Sequence, residues 1–214
     1  MTTVTPPPLR HVGVHGVSAA HAGIPALTGV DLDPSPGRLT LLIGANGSGK
    51  STLLSVLAGA HPVTAGRVER APGTTIGFVA QSSTVPDRLP LNVRETVTMG
   101  RWGTGRLLRA SDRAIVDECL ESLAIADLAR RPLAGLSGGQ RQRALVAQGL
   151  ARRADLLLLD EPSAGVDSAA HALIRAAVAA EVARGATVVE ATHDPTLRGP
   201  AVDVVHLADG RRVL

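Results

Sequence analysis

Aromatic residues are almost absent from this chain. It contains no tyrosine, and Phe78 and Trp102 are its only phenylalanine and tryptophan in 214 residues. Proteins that bind single-stranded nucleic acid stack the bases on aromatic side chains, so the composition argues against nucleic acid as a partner. The net charge is a modest +3, and paired arginines such as Arg130-Arg131 are typical of solvated helix ends.

Cysteine and long apolar runs are also scarce. Cys119 is the only cysteine, which excludes a disulfide framework and fits a reducing compartment. No apolar run approaches the roughly 20 residues that cross a bilayer, and no signal-peptide pattern opens the chain. We therefore expect a soluble, cytoplasmic chain, to which another subunit would supply any membrane part.

Lysine occurs once, and its position is informative. Lys50 lies in Gly44-Ala45-Asn46-Gly47-Ser48-Gly49-Lys50-Ser51, which matches the phosphate-binding pattern G-x-x-x-x-G-K-[ST] between an apolar run, Leu39–Ile43, and a helical pattern. Glycines let backbone N–H groups turn toward a polyphosphate, and the helix N-terminus adds positive potential. Ser51 would hold Mg²⁺. The residues expected to contact the phosphates are Gly44, Asn46, Gly47, Ser48, Gly49, Lys50, Ser51 and Thr52.

Strands and helices alternate along the chain, which predicts an α/β fold with a parallel sheet at its core. The predicted strands are Leu9–Val17, Pro25–Leu32, Leu39–Ile43, Arg67–Arg70, Thr75–Ala80, Asp155–Asp160, Ala186–Ala191, Val202–Leu207 and Arg211–Leu214. The first two are expected to pair antiparallel, the fourth and fifth to form another pair, and the last two a hairpin. Asp155–Asp160 and Ala186–Ala191 are predominantly apolar on both faces, as central parallel strands are.

Residues 82–153 are expected to form a helical insertion between two central strands. A short helix is predicted around Asn92–Met99, and an amphipathic helix over Ser111–Leu123 with Ser111 as its N-cap. A long helix follows and ends at Arg153, and Ser168–Arg184 is a further helix beyond the insertion. We therefore predict one domain over residues 1–214, with a helical subdomain at about 82–153.

Three predicted strand ends carry residue types that nucleotide hydrolysis needs. Asp160 ends a run of four leucines, where its carboxylate can hold Mg²⁺, and Glu161 is placed to act as general base toward the attacking water. His193 follows another central strand and can bond the γ-phosphate or orient Glu161. Gln81 also follows a strand and can touch Mg²⁺ or water. The structural alternatives are a helix-capping turn at the carboxylates, an ordinary loop glutamine at Gln81, and a satisfied surface or core histidine at His193.

A second anion site is predicted at Leu136-Ser137-Gly138-Gly139-Gln140. Ser137 is a good N-cap, and the two glycines leave N–H groups accessible at a helix start. One chain with two anion sites and one ATP suggests that the second site completes a neighbour's pocket. Taken alone, the string is equally compatible with a plain helix start.

Together these motifs resemble the nucleotide-binding subunit of ATP-binding-cassette (ABC) transporters. The residues that carry the resemblance are Gly44–Ser51, Gln81, Leu136–Gln140, Leu156–Glu161, Asp167 and His193. The resemblance implies an ABC ATPase fold with an N-terminal antiparallel β subdomain, and ATP with Mg²⁺ as cofactors. It also implies a head-to-tail homodimer, in which each ATP lies between one subunit's phosphate loop and the other subunit's Ser137, Gly138, Gly139 and Gln140.

The resemblance also assigns roles to single residues. Ser51, Gln81 and Asp160 become metal ligands, Glu161 the catalytic base and His193 the γ-phosphate switch, while Gln81 senses the membrane subunit.

Two positions depart from the family's pattern. Asp167 would connect the two active sites of the dimer, but it follows Val166 where the family usually has leucine. His21 stands where the family usually stacks adenine on an aromatic ring. An imidazole can stack with less π surface, and His21 is equally well a plain loop residue.

The stretch that begins after Gln81 resembles the ATPase subunits of zinc and manganese importers, notably in Leu89–Val97 and Met99-Gly100-Arg101-Trp102. Siderophore importers carry a related Met-Gly-Arg stretch and remain the alternative. The seven histidines lack metal-ligand spacing, so the chain itself is not expected to bind the cargo. The implied partners are permease subunits and, indirectly, an extracytoplasmic solute-binding protein, with this subunit at the cytoplasmic face of the membrane.

Non-transport ABC ATPases are the main rival class. Repair members carry a long coiled coil or zinc modules, and the compact distance from Gln81 to Leu136 argues against that class. Translation members usually have two cassettes in one chain, whereas this chain has one. A kinase built on the same loop would leave Ser137–Gln140 unexplained. A regulator without hydrolysis would not need Glu161 and His193.

Overall fold

Two β-sheets with helices packed on them make up the described part of the chain. The computed structural model describes residues 12–81, 90–103, 108–193 and 202–213. The strands are β1 (Val12–His21), β2 (Ile24–Leu32), β3 (Leu39–Ile43), β4 (Ala65–Arg70), β5 (Ile76–Val79), β6 (Leu156–Asp160), β7 (Thr187–Thr192), β8 (Val202–Ala208) and β9 (Arg211–Val213). The α-helices are α1 (Lys50–Ala58), α2 (Val93–Met99), α3 (Ala110–Ser122), α4 (Gly138–Ala151) and α5 (Ser168–Ala183).

The larger sheet brings several polar strand ends to one edge. Its order is β5-β6-β7-β3-β8-β9, and its neighbouring strands are parallel except β8 and β9. Asp160 of β6 pairs with Ala191 of β7, and Thr192 of β7 pairs with Ile43 of β3. The residues after β3, β6 and β7 therefore emerge side by side at the carboxyl edge, where ligands bind in open α/β sheets.

Both faces of the larger sheet are buried. On one face, Leu53 and Leu57 of α1 pack with Leu27 of β2 and Leu158 of β6, so α1 lies between the two sheets. On the other face, α4 and α5 cover the strands. The buried residues of this second layer include Val146, Leu157, Leu159, Ile174, Val178 and Val188. Each such side chain contributes about 1.5–3 kcal/mol on burial, and these two layers hold the strand ends in register.

Helices α2, α3 and α4 lie between β5 and β6 in the chain. They pack on one another through Val97, Leu120 and Ala147, which belong to the same apolar cluster as α5. Gly149 allows α4 to approach β5 closely, because a Cβ there would lie 2.2 Å from a Val79 methyl carbon. The division into a domain and a helical subdomain remains a prediction.

Two local expectations are wrong. Ser111 does not cap α3, which begins at Ala110; the buried Asp112 carboxylate instead accepts a hydrogen bond from the Arg109 N–H at 2.8 Å. β4 and β5 do not pair, because β4 joins β1 in the smaller antiparallel sheet of order β2-β1-β4, whereas Thr75 before β5 donates its N–H to Asp155 before β6 at 2.7 Å.

The other strand pairings agree with expectation. The antiparallel pairing of β1 with β2 and the β8–β9 hairpin are confirmed. Residues 9–11, 82–89, 104–107 and 214 of the predicted segments lie outside the described residues.

Candidate active site

The loop between β3 and α1 has the backbone of an anion cradle. Gly47 and Gly49 have φ angles of 82° and 101°, in the left-handed region that glycine adopts without strain. A Cβ on Gly44 would lie 2.3 Å from the Leu207 carbonyl oxygen, so the start of the loop needs glycine for space. α1 begins at Lys50, and the first N–H groups of a helix lack partners within the helix. The predicted order of strand, loop and helix is confirmed.

Lys50 is folded back over this loop. Its Nζ donates to the carbonyl oxygens of Gly44 at 2.7 Å and Ala45 at 3.0 Å, and the residue is only 5% exposed. Two neutral carbonyls therefore hold the ammonium group beside the cradle. Phosphate oxygens would be stronger acceptors, because their hydrogen bonds to an ammonium are assisted by charge.

A cleft of about 580 Å³ opens beside the loop. Its volume falls within the roughly 300–1,000 Å³ that is usual for small-molecule sites. It brings together the phosphate loop, the β1–β2 turn and two of the predicted catalytic residues. The lining residues are His21, Ile24, Pro25, Ala26, Asn46, Gly47, Gly49, Lys50, Ser51, Thr52, Gln81 and Glu161.

Asp160 is buried close to the cleft and keeps one oxygen without a partner. The residue is 4% exposed, and its Oδ1 makes no hydrogen bond within the described part of the chain. Burial raises the pKa of this carboxyl group; hydrogen bonding by Ser51 and the charge of Lys50 oppose the rise, whereas the charge of Glu161 adds to it.

This environment fits Mg²⁺, which is bound through oxygen ligands. Asp160 and the Ser51 hydroxyl are the groups that would hold the ion. When bound, Mg²⁺ supplies positive charge that neutralises phosphate oxygens.

Gln81, Glu161 and His193 meet at the carboxyl edge of the sheet. Gln81 Nε2 donates to Glu161 Oε2 at 3.1 Å, and His193 Nδ1 lies 3.8 Å from the same oxygen. The Glu161 side chain is 11% exposed, whereas that of His193 is 69% exposed. The three residues predicted to be catalytic therefore lie close together, with Gln81 and His193 on either side of the Glu161 carboxylate.

The backbone at Glu161 explains how this carboxylate reaches the cleft. Glu161 has a φ angle of 50°, a left-handed conformation that costs a side-chain-bearing residue about 1–3 kcal/mol and persists only where the surroundings enforce it. Its N–H donates to the Ala191 carbonyl at 3.0 Å, which fixes the turn directly after β6. Such strain is concentrated at functional sites.

The second predicted anion site lies away from this cleft. Ser137 Oγ accepts from the Gln140 N–H at 3.3 Å, and Gln140 Oε1 accepts from the Ser137 N–H at 3.0 Å. This reciprocal capping box starts α4 and leaves Ser137 and Gly138 exposed. Asp167 caps α5 by accepting from the Ala170 N–H at 2.8 Å. Neither segment lines the cleft, so one chain alone does not bring them to the phosphate loop.

His21 lies at the cleft with neighbours that sequence reasoning missed. Its Nε2 is 3.1 Å from Thr52 Oγ1, and its ring centroid is 4.4 Å from that of His61. Ile24, which is 72% exposed, and Pro25 line the same wall. Apolar residues in a turn have no recognisable chemical pattern, and His61 is distant in the chain, so only the fold reveals this group.

A protein-family model described as ABC transporter matches residues 27–164. The match includes the phosphate loop, Gln81, Ser137–Gln140 and Glu161. This chain belongs to the ABC transporter family. The resemblance that the sequence motifs indicate is therefore confirmed.

Several curated relatives of this ABC family member have importer names. The zinc import ATP-binding protein ZnuC of Chelativorans sp. (strain BNC1) is 43% identical over 159 residues, covering 74% of this chain and 52% of the relative. ZnuC of Halorhodospira halophila is 38% identical over 91% of this chain and 73% of the relative. The manganese transport system ATP-binding protein MntB of Bacillus subtilis is 34% identical, covering 86% of this chain and 77% of the relative. The chain spans only 52% and 61% of the length of the ZnuC proteins of Chelativorans and Ruegeria sp. (strain TM1040).

Solved structures share the fold. A dimeric bacterial ABC transporter cassette has a TM-score of 0.82 and 26% identity, with 95% of this chain and 97% of that chain covered. The dimeric post-hydrolysis state of an ATP-binding cassette bound to ADP and Pi has a TM-score of 0.81 and 27% identity at the same coverage. The predicted α/β fold of an ABC ATPase is confirmed. Within the described ranges, none of the helices combines the length and apolar character needed to cross a bilayer.

Proposed function

We propose that this chain binds and hydrolyses ATP with Mg²⁺ and thereby drives an ABC importer for zinc or manganese. The observation that carries the proposal is the meeting of Gln81, Glu161 and His193 beside a cleft that contains the phosphate loop. A phosphate cradle alone would suit many nucleotide-binding proteins. A carboxylate held between an amide and an imidazole adds the groups that position and deprotonate a water molecule.

Each polar side chain at the phosphate-loop end of the cleft has a proposed role. Lys50 exchanges the carbonyl oxygens of Gly44 and Ala45 for oxygens of the β- and γ-phosphates. Ser51, Asp160 and Gln81 hold Mg²⁺, and the free Oδ1 of Asp160 supports this assignment.

Glu161 is the proposed general base. It accepts a proton from the water whose oxygen attacks the γ-phosphorus, while the bond to the bridging oxygen breaks and ADP and phosphate leave. Gln81 keeps the carboxylate oriented through its hydrogen bond to Oε2. His193 lies near the same oxygen and has an exposed ring, so it is free to donate to the γ-phosphate when the nucleotide is bound.

The proposed active form is a head-to-tail homodimer. Ser137 and Gly138 are exposed at the start of α4, where N–H groups bind anions, yet they lie away from the cleft of their own chain. A second copy would bring them over the phosphates, with Asp167 near the junction of the two sites. Similar solved cassettes are dimers.

The proposed cargo and partners follow from two observations. Relatives at 34–43% identity are named for zinc import or manganese transport. Trp102 is 58% exposed and lines a groove of about 330 Å³ with Met99 and Gln148, a surface suited to a permease at the cytoplasmic face of the membrane. An extracytoplasmic solute-binding protein would deliver the metal to that permease.

The direct test is phosphate release by the purified chain with ATP. Mg²⁺-dependent hydrolysis that Lys50→Ala abolishes and the exposed-site control Arg211→Ala retains is expected. Absence of hydrolysis in the wild type, or full activity in Lys50→Ala, would contradict the ATPase proposal.

Isolation of tagged chain from native membranes tests the transport role. Co-purification of a multi-span permease and a metal-binding extracytoplasmic protein is expected. Recovery of ribosomes or DNA-processing proteins without a permease would contradict the transport role. Recovery of a siderophore-binding partner would contradict zinc or manganese as the cargo and indicate a siderophore instead.

A further inference from the structure

Two histidines pack on each other beside the cleft. The rings of His21 and His61 have centroids 4.4 Å apart, with their planes inclined at 46°. His21 is exposed and lines the cleft, whereas His61 is partly buried behind it. The chain has no tyrosine, and at this place two packed imidazole rings together provide an aromatic surface.

His61 is held at both its backbone and its ring. Its N–H donates, at 3.2 Å, to the carbonyl of Ser55 in the last turn of α1. Its Nε2 lies 3.2 Å from the Ala20 carbonyl oxygen. A carbonyl oxygen only accepts hydrogen bonds, so a hydrogen bond at this distance requires the proton on Nε2 of His61. His61 thus joins the end of α1 to the residue that precedes His21.

The cleft has two chemically different ends. Ser51 lies close enough to Asp160 to oppose the rise that burial causes in the pKa of that carboxyl group, whereas Thr52 faces His21, with 3.1 Å between Oγ1 and Nε2. Successive helical residues point about 100° apart, so α1 directs one hydroxyl to the metal end and the next to the imidazole end. The imidazole end continues into Ile24 and Pro25, whose side chains contain no polar atom.

We propose that His61 is a positioning residue for the nucleobase: it holds the ring of His21, the residue at which the family resemblance already places the base, beside Ile24 and Pro25 in the cleft. This inference rests on the proposed nucleotide-binding function. Lys50 and Asp160 place the phosphates at the other end of the cleft, so the base of the same molecule extends toward the apolar wall. A single imidazole offers a small stacking surface. A second ring fixed behind it restricts the side chain of His21 before the nucleotide binds, so less conformational entropy is lost on binding.

The test compares two ligands that differ by the nucleoside. Calorimetry measures binding of ATP and of inorganic tripolyphosphate, which has the phosphates without the base, to the purified full chain. In His61→Ala, the Kd for ATP is expected to rise roughly 3- to 10-fold, the effect of losing one ring–ring contact. The Kd for tripolyphosphate is expected to change less than twofold. In turnover, KM for ATP rises and kcat stays unchanged.

Conservative variants separate ring packing from backbone anchoring. His61→Phe keeps a ring against His21 but loses the hydrogen bond to Ala20, and it is expected to restore ATP binding. His61→Asn keeps a donor but loses the ring, and it is expected to bind ATP as poorly as His61→Ala. His15→Ala serves as the matched control, because His15 lies on the same strand as His21 beside Glu69, with 3.4 Å between Nε2 and Oε2.

The outcomes distinguish this inference from the proposed function. An unchanged Kd for ATP in His61→Ala, a parallel loss of ATP and tripolyphosphate binding, or rescue by asparagine but not phenylalanine would overturn the positioning role. Failure of the wild type to bind ATP would contradict the proposed function itself. Because calorimetry needs no turnover, an inactive wild type that binds ATP still gives a readable result for His61.

Discussion

Replacing Glu161 by glutamine separates the chemistry of the carboxylate from its structural role. Glutamine has the same shape, and its amide oxygen can still accept from Gln81 Nε2, which is 3.1 Å from Glu161 Oε2 in the wild type. The change also removes a negative charge that raises the pKa of Asp160. The free energy of unfolding is therefore expected not to fall in Glu161→Gln.

The expected effect on catalysis is large. Loss of a general base lowers kcat by roughly 100- to 10,000-fold, equivalent to about 2.7–5.4 kcal/mol in the activation free energy. KM for ATP is expected to stay within a few-fold, since Lys50 and the loop proposed to hold the phosphates are unchanged. Because the bound ATP persists, the ATP-bound dimer should accumulate. Phosphate release measures the first effect, and gel filtration with ATP measures the second.

Glu121→Gln provides the matched control, because it makes the same chemical change at an exposed position of α3. It should hydrolyse ATP at the wild-type rate. If Glu161→Gln retains more than about a tenth of the wild-type kcat, a loss far smaller than removal of a general base produces, Glu161 is not the base. Loss of ATP binding in Glu161→Gln would show that the substitution disturbs the cleft and would refute the reasoning from shape.

Buried ionisable groups lead to three further expectations. Burial raises the pKa of Asp160 in the folded state, so the free energy of unfolding falls as pH rises from the unfolded-state pKa to the folded-state pKa. Without Mg²⁺, Asp160→Asn should therefore have a higher melting temperature than the wild type, and a lower one would contradict this. Arg175→Met removes the guanidinium that lies 2.5 Å from the buried carboxylate of Glu190, which is 1% exposed, and should lower the free energy of unfolding in urea by about 3–5 kcal/mol, because breaking a buried ion pair from one side is costly. The double variant Arg175→Met/Glu190→Met should largely recover this loss, and a double variant as unstable as the single would refute the reasoning. Burial raises the pKa of the Cys119 thiol to about 12, so at mildly alkaline pH thiol reagents should label it only as the chain unfolds, and rapid labelling of the native protein would disagree.

The sequence predicts the strand, loop and helix around Lys50 well, because the pattern of an anion cradle restricts the structure. An anion cradle needs glycines, a lysine and a helix start at fixed spacing, and few other structures satisfy that pattern. Asp160, Glu161 and His193 follow apolar strands, and parallel strands bring their carboxyl ends to one edge. Their convergence was therefore predictable without coordinates.

The imidazole end of the cleft was not predictable in the same way. His61 meets His21 only because β1 and the end of α1 are adjacent in the fold. Ile24 and Pro25 contribute shape rather than a chemical group, so no residue pattern identifies them. The carboxylate of Asp112 that accepts from the Arg109 N–H at the start of α3 also forms an ion pair with Arg101, at 2.8 Å, which no local residue pattern indicates.

Metal uptake by the source cells tests the central claim most directly. The measurement compares accumulation of labelled zinc and manganese in cells that carry wild-type protein, Glu161→Gln or the control Glu121→Gln in place of the native copy. We predict that Glu161→Gln reduces uptake of one of these metals to background, whereas Glu121→Gln leaves it unchanged. Normal uptake of both metals in Glu161→Gln cells would contradict the claim that this ABC subunit drives their import.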